Sequence, residues 1–317
     1  MSSKSLEKMI ASRRSHRTSD IDICIPVYKT DPTPLILQLA QQNGAERAAL
    51  RIYDDGSGDP ALIRSIKDAL ARFPGRTTLI EGFENRGRSV ARNSLLAVAE
   101  GDWLLLMDCD MRLPGPGFLD AYRAAAKEQS GPCCIVGGFQ IDPQAVTSAT
   151  RLHALQSMVS DCLPAQVRSA DPGRYVFTSN IFMHRAIAES VRFDEGFNGW
   201  GWEDVDWGLR IVNRYPVQHI DNPAVHIGLD TTPSILRKYM ESVQNFLRML
   251  ESHPDAVARM PIYRWACQFS RLPGCGVLVF VARGCANAQV VPPRVRLLAL
   301  KVYRAGLYGS ELHRAGH

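Results

Sequence analysis

Leu104-Leu105-Leu106-Met107-Asp108-Cys109-Asp110 is the stretch around which the chain is organised. Four apolar residues carry a strand into a core, and two carboxylates appear at its end, spaced i and i+2. In extended backbone that spacing puts both side chains on the same side of the chain. Two acids held side by side repel each other and need a counter-charge. A hard divalent cation with oxygen ligands, partly coordinated by a phosphate, supplies one. The competing reading is a solvated turn after a buried strand, so the neighbouring sequence has to decide.

Upstream, strand and helix patterns alternate. Ile21 to Val27 is rich in β-branched residues and reads as a buried strand that ends near Pro26, with Tyr28 in the following loop. A helix follows from Thr33 to Asn43, stopping near Gly44. Leu50 to Tyr53 is a second strand running into Asp54-Asp55-Gly56-Ser57. Asp59-Pro60 opens a helix through Phe73, with Asp at the cap and Pro at the first position. Thr77 to Ile80 is a third strand, Asn85-Arg86-Gly87-Arg88-Ser89 a turn, and Ser89 to Ala99 a third helix. This alternation predicts an α/β fold with a mainly parallel sheet flanked by helices. Such sheets bind ligands beyond the carboxyl ends of their strands. Tyr28, the Asp54-Asp55 pair and the Asp108/Asp110 pair all fall at strand carboxyl ends.

Composition sets the bounds. The chain has 317 residues, 45% hydrophobic and 22% charged, enough for a sizeable core in one large or two small domains. Net charge is +5, but Glu251 to the end holds nine Arg or Lys against three Asp or Glu, so the basic character belongs to the C-terminal segment. Eight scattered cysteines without a C-x-x-C pair are neither a zinc signature nor a disulfide framework, and they suit a reducing compartment. No apolar run is long enough to span a bilayer. The polar, basic start of the chain lacks the apolar core of a secretory signal. The expectation is a cytoplasmic protein with a flexible segment 1–19, a catalytic domain 20–250 and a basic helical extension 251–317.

The second half is more mixed. Ile135 to Ile141 reads as one strand, Thr147 to Ser160 as a helix, Pro164 to Gly173 as a loop, and Thr178 to His184 as a strand. Gly199-Trp200-Gly201-Trp202-Glu203-Asp204 then leads into a short helix from Glu203 to Asn213, with acids in its first turn favoured by the helix dipole. Those acids could simply cap the helix, and the tryptophans could be core residues. Flanked by glycines, Trp200 and Trp202 read as an exposed aromatic shelf suited to the apolar face of a sugar ring. Val217 to Val225 leads to His226. Thr231 to Leu250 is amphipathic and is expected to pack on a core.

Taken in order, Ile25-Pro26-Val27-Tyr28, Asp54-Asp55-Gly56-Ser57, Asn85-Arg86-Gly87-Arg88-Ser89-Val90-Ala91-Arg92-Asn93, Asp108-Cys109-Asp110, Gly199 to Asp204 and His226 resemble a family 2 glycosyltransferase of the GT-A fold, over roughly residues 20–250. The Trp200 block also resembles the W-G-x-E-D acceptor motif of galactosyltransferase-like enzymes. The resemblance implies that Asp54 or Asp55 binds the base of a nucleotide sugar, most often uridine, with Pro26 and Tyr28 bordering it. It implies that Asp108 contacts the ribose or the water shell of a metal, and that Asp110 and His226 ligate Mn²⁺ or Mg²⁺ on the diphosphate. Asp204 would be the general base and Glu203, with Trp200 and Trp202, would hold the acceptor. Arg88 and Arg92, near a helix N-terminus, could meet phosphate.

The chemistry suits these residue types without the family. A departing diphosphate is offset by a divalent metal. An acceptor alcohol is a poor nucleophile at neutral pH and is helped by a carboxylate base. The expectation is an inverting, metal-dependent transferase acting on a saccharide or lipid-linked acceptor in bacterial surface polysaccharide or lipopolysaccharide synthesis. The basic C-terminal segment around the apolar run Gly276 to Ala282 either packs on the core or meets anionic lipid. No aromatic-interleaved basic groove points to nucleic acid. A retaining transferase and a catalytically silent carbohydrate-binding protein are the alternatives. A sugar-phosphate nucleotidyltransferase is disfavoured, because Pro26-Val27-Tyr28-Lys29-Thr30 lacks the glycines of a phosphate-binding loop.

Overall fold

The computed structural model describes residues 7–12 and 19–315. The chain divides into two compact units that interleave along the sequence. The first holds residues 1–142, 162–195 and 207–228, and the second residues 143–161, 196–206 and 229–317. The division therefore does not fall at residue 250. Two short excursions of the central sequence belong with the C-terminal helices.

The first unit is built on an eight-stranded sheet. Its parallel heart is β2 (Ile21–Val27), β3 (Ala48–Asp54), β4 (Arg76–Gly82) and β5 (Trp103–Met107), in the order β4-β3-β2-β5. Beyond β5 the sheet continues with antiparallel β9 (Asn180–His184), then β7 (Cys134–Val136) and β10 (Val217–His219). Apolar side chains bury both faces. Ile23, Ile25 and Leu105 pack with α1 (Thr33–Ala40) and α2 (Pro60–Leu70) on one side, while Cys24, Leu104 and Leu106 pack with α3 (Arg88–Val98) on the other. Burial on both faces explains why these strands read as continuous apolar runs. Asp22 is the exception at the start of β2. It is fully buried, and its carboxylate accepts from Arg51 Nε at 2.7 Å and from the Glu100 amide at 2.7 Å.

Three expectations need correction. Residues 7–12, within the stretch read as flexible, form β1, paired antiparallel with β4 at the sheet edge. Edge pairing uses backbone hydrogen bonds and needs no apolar signal in the sequence. Ile135 to Ile141 is not one strand. Gly137-Gly138 breaks it into β7 and β8 (Phe139–Ile141), and β8 joins a separate three-stranded sheet with β6 (Met111–Arg112) and β11 (Ala224–His226). Gly138 has φ 77°, and a Cβ on Gly137 would lie 2.2 Å from Tyr122 Oη, so neither position tolerates a strand residue. Finally, Pro164 to Gly173 contains a helical turn, α6 (Ala165–Arg168), anchored by the buried Arg168.

The second unit is helical. It comprises α5 (Arg151–Ser160), α9 (Thr232–Ser252), α10 (Pro254–Arg259), α11 (Pro261–Ser270), α12 (Cys275–Asn287) and α13 (Pro293–Arg314). Ile235, Leu236 and Tyr239 of α9, Ala282 and Ala286 of α12, and Leu300 and Tyr303 of α13 form its core with Leu152. The apolar stripe of the amphipathic α9 lies against its own unit, as the sequence predicts. Among the described residues no helix is long and apolar enough to cross a membrane.

Candidate active site

The parallel register brings the first set of site residues together. Val27 pairs with Asp54, and the Asp55 amide donates to Val27 O at 2.8 Å, so the ends of β2 and β3 are locked side by side. Cys24 pairs with Leu106, which brings the end of β5 beside them. Tyr28 is 42% exposed at this edge, followed by Lys29 in the left-handed region at φ 52°. The Lys29 amide donates to Ser57 Oγ at 2.7 Å, and the Ser57 amide to Asp54 Oδ2 at 3.1 Å.

The structure separates the roles of the paired acids. Asp55 is saturated by the Asn85-Arg86-Gly87 turn: Oδ2 accepts from Asn85 Nδ2 at 3.1 Å and Gly87 N at 2.9 Å, and Oδ1 from Arg86 N at 2.9 Å. Asp54 is buried too, but its Oδ1 has no hydrogen-bond partner. An orphaned buried acceptor is costly and points to a missing donor. Burial raises the pKa of both acids, against the lowering effect of these N–H donors.

The central motif differs from its extended-strand reading. β5 ends at Met107, so Asp108-Cys109-Asp110 forms a turn before β6 and its two carboxylates take separate partners. Asp108 Oδ1 lies 3.3 Å from Arg92 Nη2, and Arg92 is buried with its guanidinium 5.6 Å over the Phe193 ring. Asp110 Oδ2 lies 3.1 Å from His226 Nε2. Burial works to raise the Asp110 pKa, but the His226 hydrogen bond and charge, with Arg88, outweigh it and hold the carboxyl below its ordinary value. Asp108, Asp110 and His226 do not form a three-ligand cluster; among the described residues no group of three such side chains does.

The Asp110–His226 pair nevertheless fits a hard divalent ion. An octahedral ion with donors at about 2.1 Å holds neighbouring donors about 3 Å apart, which matches the spacing present. A Cβ on Gly228 would stand 1.9 Å from Asp110 Oδ2. The chain is thus bare where the carboxylate needs room. These two side chains would hold such an ion, and phosphate and water would supply its other ligands.

The second motif belongs to the second unit. Trp202 is only 8% exposed and Trp200 packs partly buried against the helical core, so they do not form the expected exposed shelf. Trp202 has φ 78°, unusual for a bulky residue, and follows Gly199 at 74° and the adjacent Gly201 at 91°. Its Nε1 donates to Tyr308 Oη at 2.9 Å, and Arg304 lies 5.1 Å over its ring. Glu203 is buried and Asp204 half-buried in the first turn of α8 (Glu203–Val212). Asp206, one turn on, lies 2.9 Å from His253 Nε2 through Oδ1.

The sequence model of Glycosyl transferase family 2 matches residues 22–190, more than half of the chain. The chain belongs to this family. The chain is also 26% identical over 310 aligned residues to hyaluronan synthase of Pasteurella multocida, covering 82% of the chain. The chain spans only about a third of that relative's length, 31%. Among solved structures, the mannosyltransferase PcManGT of Pyrobaculum calidifontis, in complex with GDP-Man and Mn²⁺, aligns with TM-score 0.58 at 15% identity over 94% of this chain and 88% of that one. TarS of S. aureus in complex with UDP-GlcNAc aligns with TM-score 0.51 at 15% identity over 94% and 92%. The chain therefore has the GT-A fold.

Sequence reasoning missed several residues of the transferase that build this edge. Ser57 bridges the two loops, Asn85 and Gly87 fix Asp55, and Gly228 clears space for Asp110. Ser57, Asn85 and Gly87 lay inside the quoted motifs, so their signal was present. Gly228, two residues after His226, shows its role only when the Asp110 turn is placed against it. Asn93 clamps the 193–195 segment: it donates to Phe193 O at 3.0 Å and Glu195 Oε1 at 2.9 Å.

Proposed function

We propose that this protein moves a sugar from a nucleotide diphosphate donor, of which UDP-linked sugars are the first to test, to a hydroxyl of a saccharide or lipid-linked saccharide, with inversion and with a divalent metal. The observation that carries the reading is the Asp110–His226 pair, cleared by Gly228, together with Asp54 and its orphaned oxygen at the carboxyl end of β3. Asp54 Oδ1 accepts an N–H of the nucleobase, and Pro26 and Tyr28 border the ring. Arg88 and Arg92 supply positive charge beside Asp110 and Asp108. Mn²⁺ or Mg²⁺ held by Asp110 and His226 would offset charge on the departing diphosphate. Asp204 takes the proton of the acceptor hydroxyl, with Glu203 and the Trp200 segment holding the acceptor. The bond from the anomeric carbon to the acceptor oxygen forms as the bond to phosphate breaks, and the nucleoside diphosphate leaves. We assign this work to residues 20–250. The setting we propose is assembly of bacterial surface polysaccharide or lipopolysaccharide at the inner face of the cytoplasmic membrane.

The test is calorimetric binding of UDP- and GDP-sugars with Mn²⁺ and with chelator, beside release of nucleoside diphosphate. Chelator-sensitive binding of one donor, lost in Asp110→Ala and kept in Asp204→Asn while release falls at least a hundred-fold in the latter, is expected. Chelator-insensitive binding, or binding unaffected by Asp110→Ala, overturns the metal assignment. A product that keeps the donor's anomeric configuration overturns inversion.

A further inference from the structure

The C-terminal helices of the second unit carry a surface that nothing in the transfer chemistry uses. Between Ala256 and Ser310 the sequence has eight Arg or Lys and no Asp or Glu. Two of the eight serve the unit's interior. Arg296 is buried, donating from Nε to Ala286 O at 2.9 Å and from Nη2 to Thr232 Oγ1 at 3.0 Å, and Arg304 stacks among Trp202, Tyr239 and Tyr308. The other six, Arg259, Arg264, Arg271, Arg283, Arg294 and Lys301, are exposed.

Large apolar side chains stand among them. On α12, Val277, Phe280 and Val281 are 68%, 76% and 58% exposed. With Gly284 they occupy positions i, i+3, i+4 and i+7, a single helix face. The opposite face is already satisfied, since Cys275, Ala282 and Ala286 are buried and Val279 packs against Gly306 of α13. α12 is therefore apolar on two sides and partnered on one. Val290, in the loop to α13, is 95% exposed, and Val295 and Leu298 are about half exposed on the first turns of α13.

We propose that α12, the 288–292 loop and the start of α13 seat this protein on an anionic lipid bilayer, with the apolar side chains entering the boundary between headgroups and acyl chains and the cations meeting lipid phosphate. Charge decides between occupants. A second copy would present the same patch to itself in an isologous contact, setting cations against cations with no acid to relieve them. A bilayer with anionic headgroups complements both the charge and the apolar face. Length excludes spanning: thirteen residues of helix reach about 20 Å, short of the roughly 30 Å hydrocarbon core. This places the contact on the membrane surface. It deepens the membrane setting proposed above and rests on that reading for its biological use. The contact itself is read without donor, metal or turnover, so failure of either proposal is seen separately.

The experiment is flotation of the full chain with vesicles of phosphatidylcholine alone and of phosphatidylcholine mixed equally with phosphatidylglycerol. The protein is expected to float with the anionic vesicles only, and to be released by high salt. Phe280→Ser, at an exposed position that leaves folding intact, is expected to lower the partition constant about ten-fold. Each of Arg283→Gln and Arg294→Gln is expected to lower it about five-fold. No binding to anionic vesicles, or binding unchanged by all three substitutions, overturns the proposal. So does a concentration-dependent dimer that Phe280→Ser dissolves in the absence of lipid, which would make a second copy the occupant.

Discussion

At the scale of single residues, the donor edge shows how two adjacent acids come to do different work. Asp55 spends its oxygens on three N–H donors of the turn that opens α3, while Asp54 keeps one buried oxygen without a donor. The sequence alone could not divide the pair, because the division depends on where the 85–87 turn closes. Gly228 is the sharper case. Alanine there would put a Cβ 1.9 Å from Asp110 Oδ2, well inside contact distance, so the carboxylate must swing away from His226. Gly228→Ala is therefore expected to weaken chelator-sensitive nucleotide binding at least ten-fold, in the range seen when groups that orient metal ligands are lost. Gly117→Ala is the control, since nothing lies within 4 Å of its would-be Cβ, and it should bind as the parent does. Titration of both variants with a donor nucleotide checks this, and equal affinities would remove Gly228 from the account.

At the scale of elements, α13 organises the tryptophan motif through one hydroxyl. Tyr308 Oη accepts from Trp202 Nε1 at 2.9 Å and from Arg304 Nε at 3.0 Å. Both are donors, so the Tyr308 proton must point to its third partner, Ser242 Oγ at 2.8 Å, and Ser242 in turn donates to Tyr239 O at 2.8 Å. Tyr308→Phe keeps the ring that stacks 4.1 Å from Phe246 but strands two buried donors. It is expected to cost about 2–4 kcal/mol, measured as a lowered midpoint of thermal or urea unfolding of the full chain. An unchanged midpoint would show that water or a relaxed Trp202 replaces the bond. The same element explains what the sequence could and could not show. The parallel sheet was legible because its strands are largely apolar and two of them, β3 and β5, run into acid pairs, a local pattern. The fate of Trp202 was not, because the glycines before it are compatible with exposure or with a tight buried turn. What decides is a partner 106 residues away. Gly137-Gly138 was missed for the converse reason: the apolar run continues through it, and only the close approach of Tyr122, Asn180 and Asn222 shows why no side chain fits.

At the scale of the whole molecule, stability should depend on pH through a histidine that has no part in the proposed chemistry. His219, at the end of β10, is buried between Arg168, whose Nη1 lies 2.7 Å from Nδ1, and Pro172 O, 3.1 Å from Nε2. Arg168 can only donate, so Nδ1 must accept and the ring must be neutral, with its proton on Nε2. Protonation would place a second cation against the guanidinium in a buried site. Burial above all holds the His219 pKa down to about 4; the Pro172 carbonyl pulls it upward and the Arg168 charge pushes it down. The ordinary value, about 6.5, applies to the unfolded chain. Between these values the unfolded chain takes up a proton that the folded protein refuses. The stabilisation is thus complete above about pH 6.5 and is lost as pH falls toward 4. From pH 7 to pH 5 the loss is about 2 kcal/mol. Asp54 and Asp55, whose burial raises their pKa, act with the opposite sign, since protonating them favours the folded state. The histidine is isolated by comparison with His219→Gln, which keeps a side-chain acceptor and donor but does not titrate. Urea unfolding at pH 7 and pH 5 should show a drop in the parent that is about 2 kcal/mol larger than in the variant. Equal drops would mean that the ring already carries its second proton in the folded state, and that Arg168 and His219 are held together by something other than the bond described.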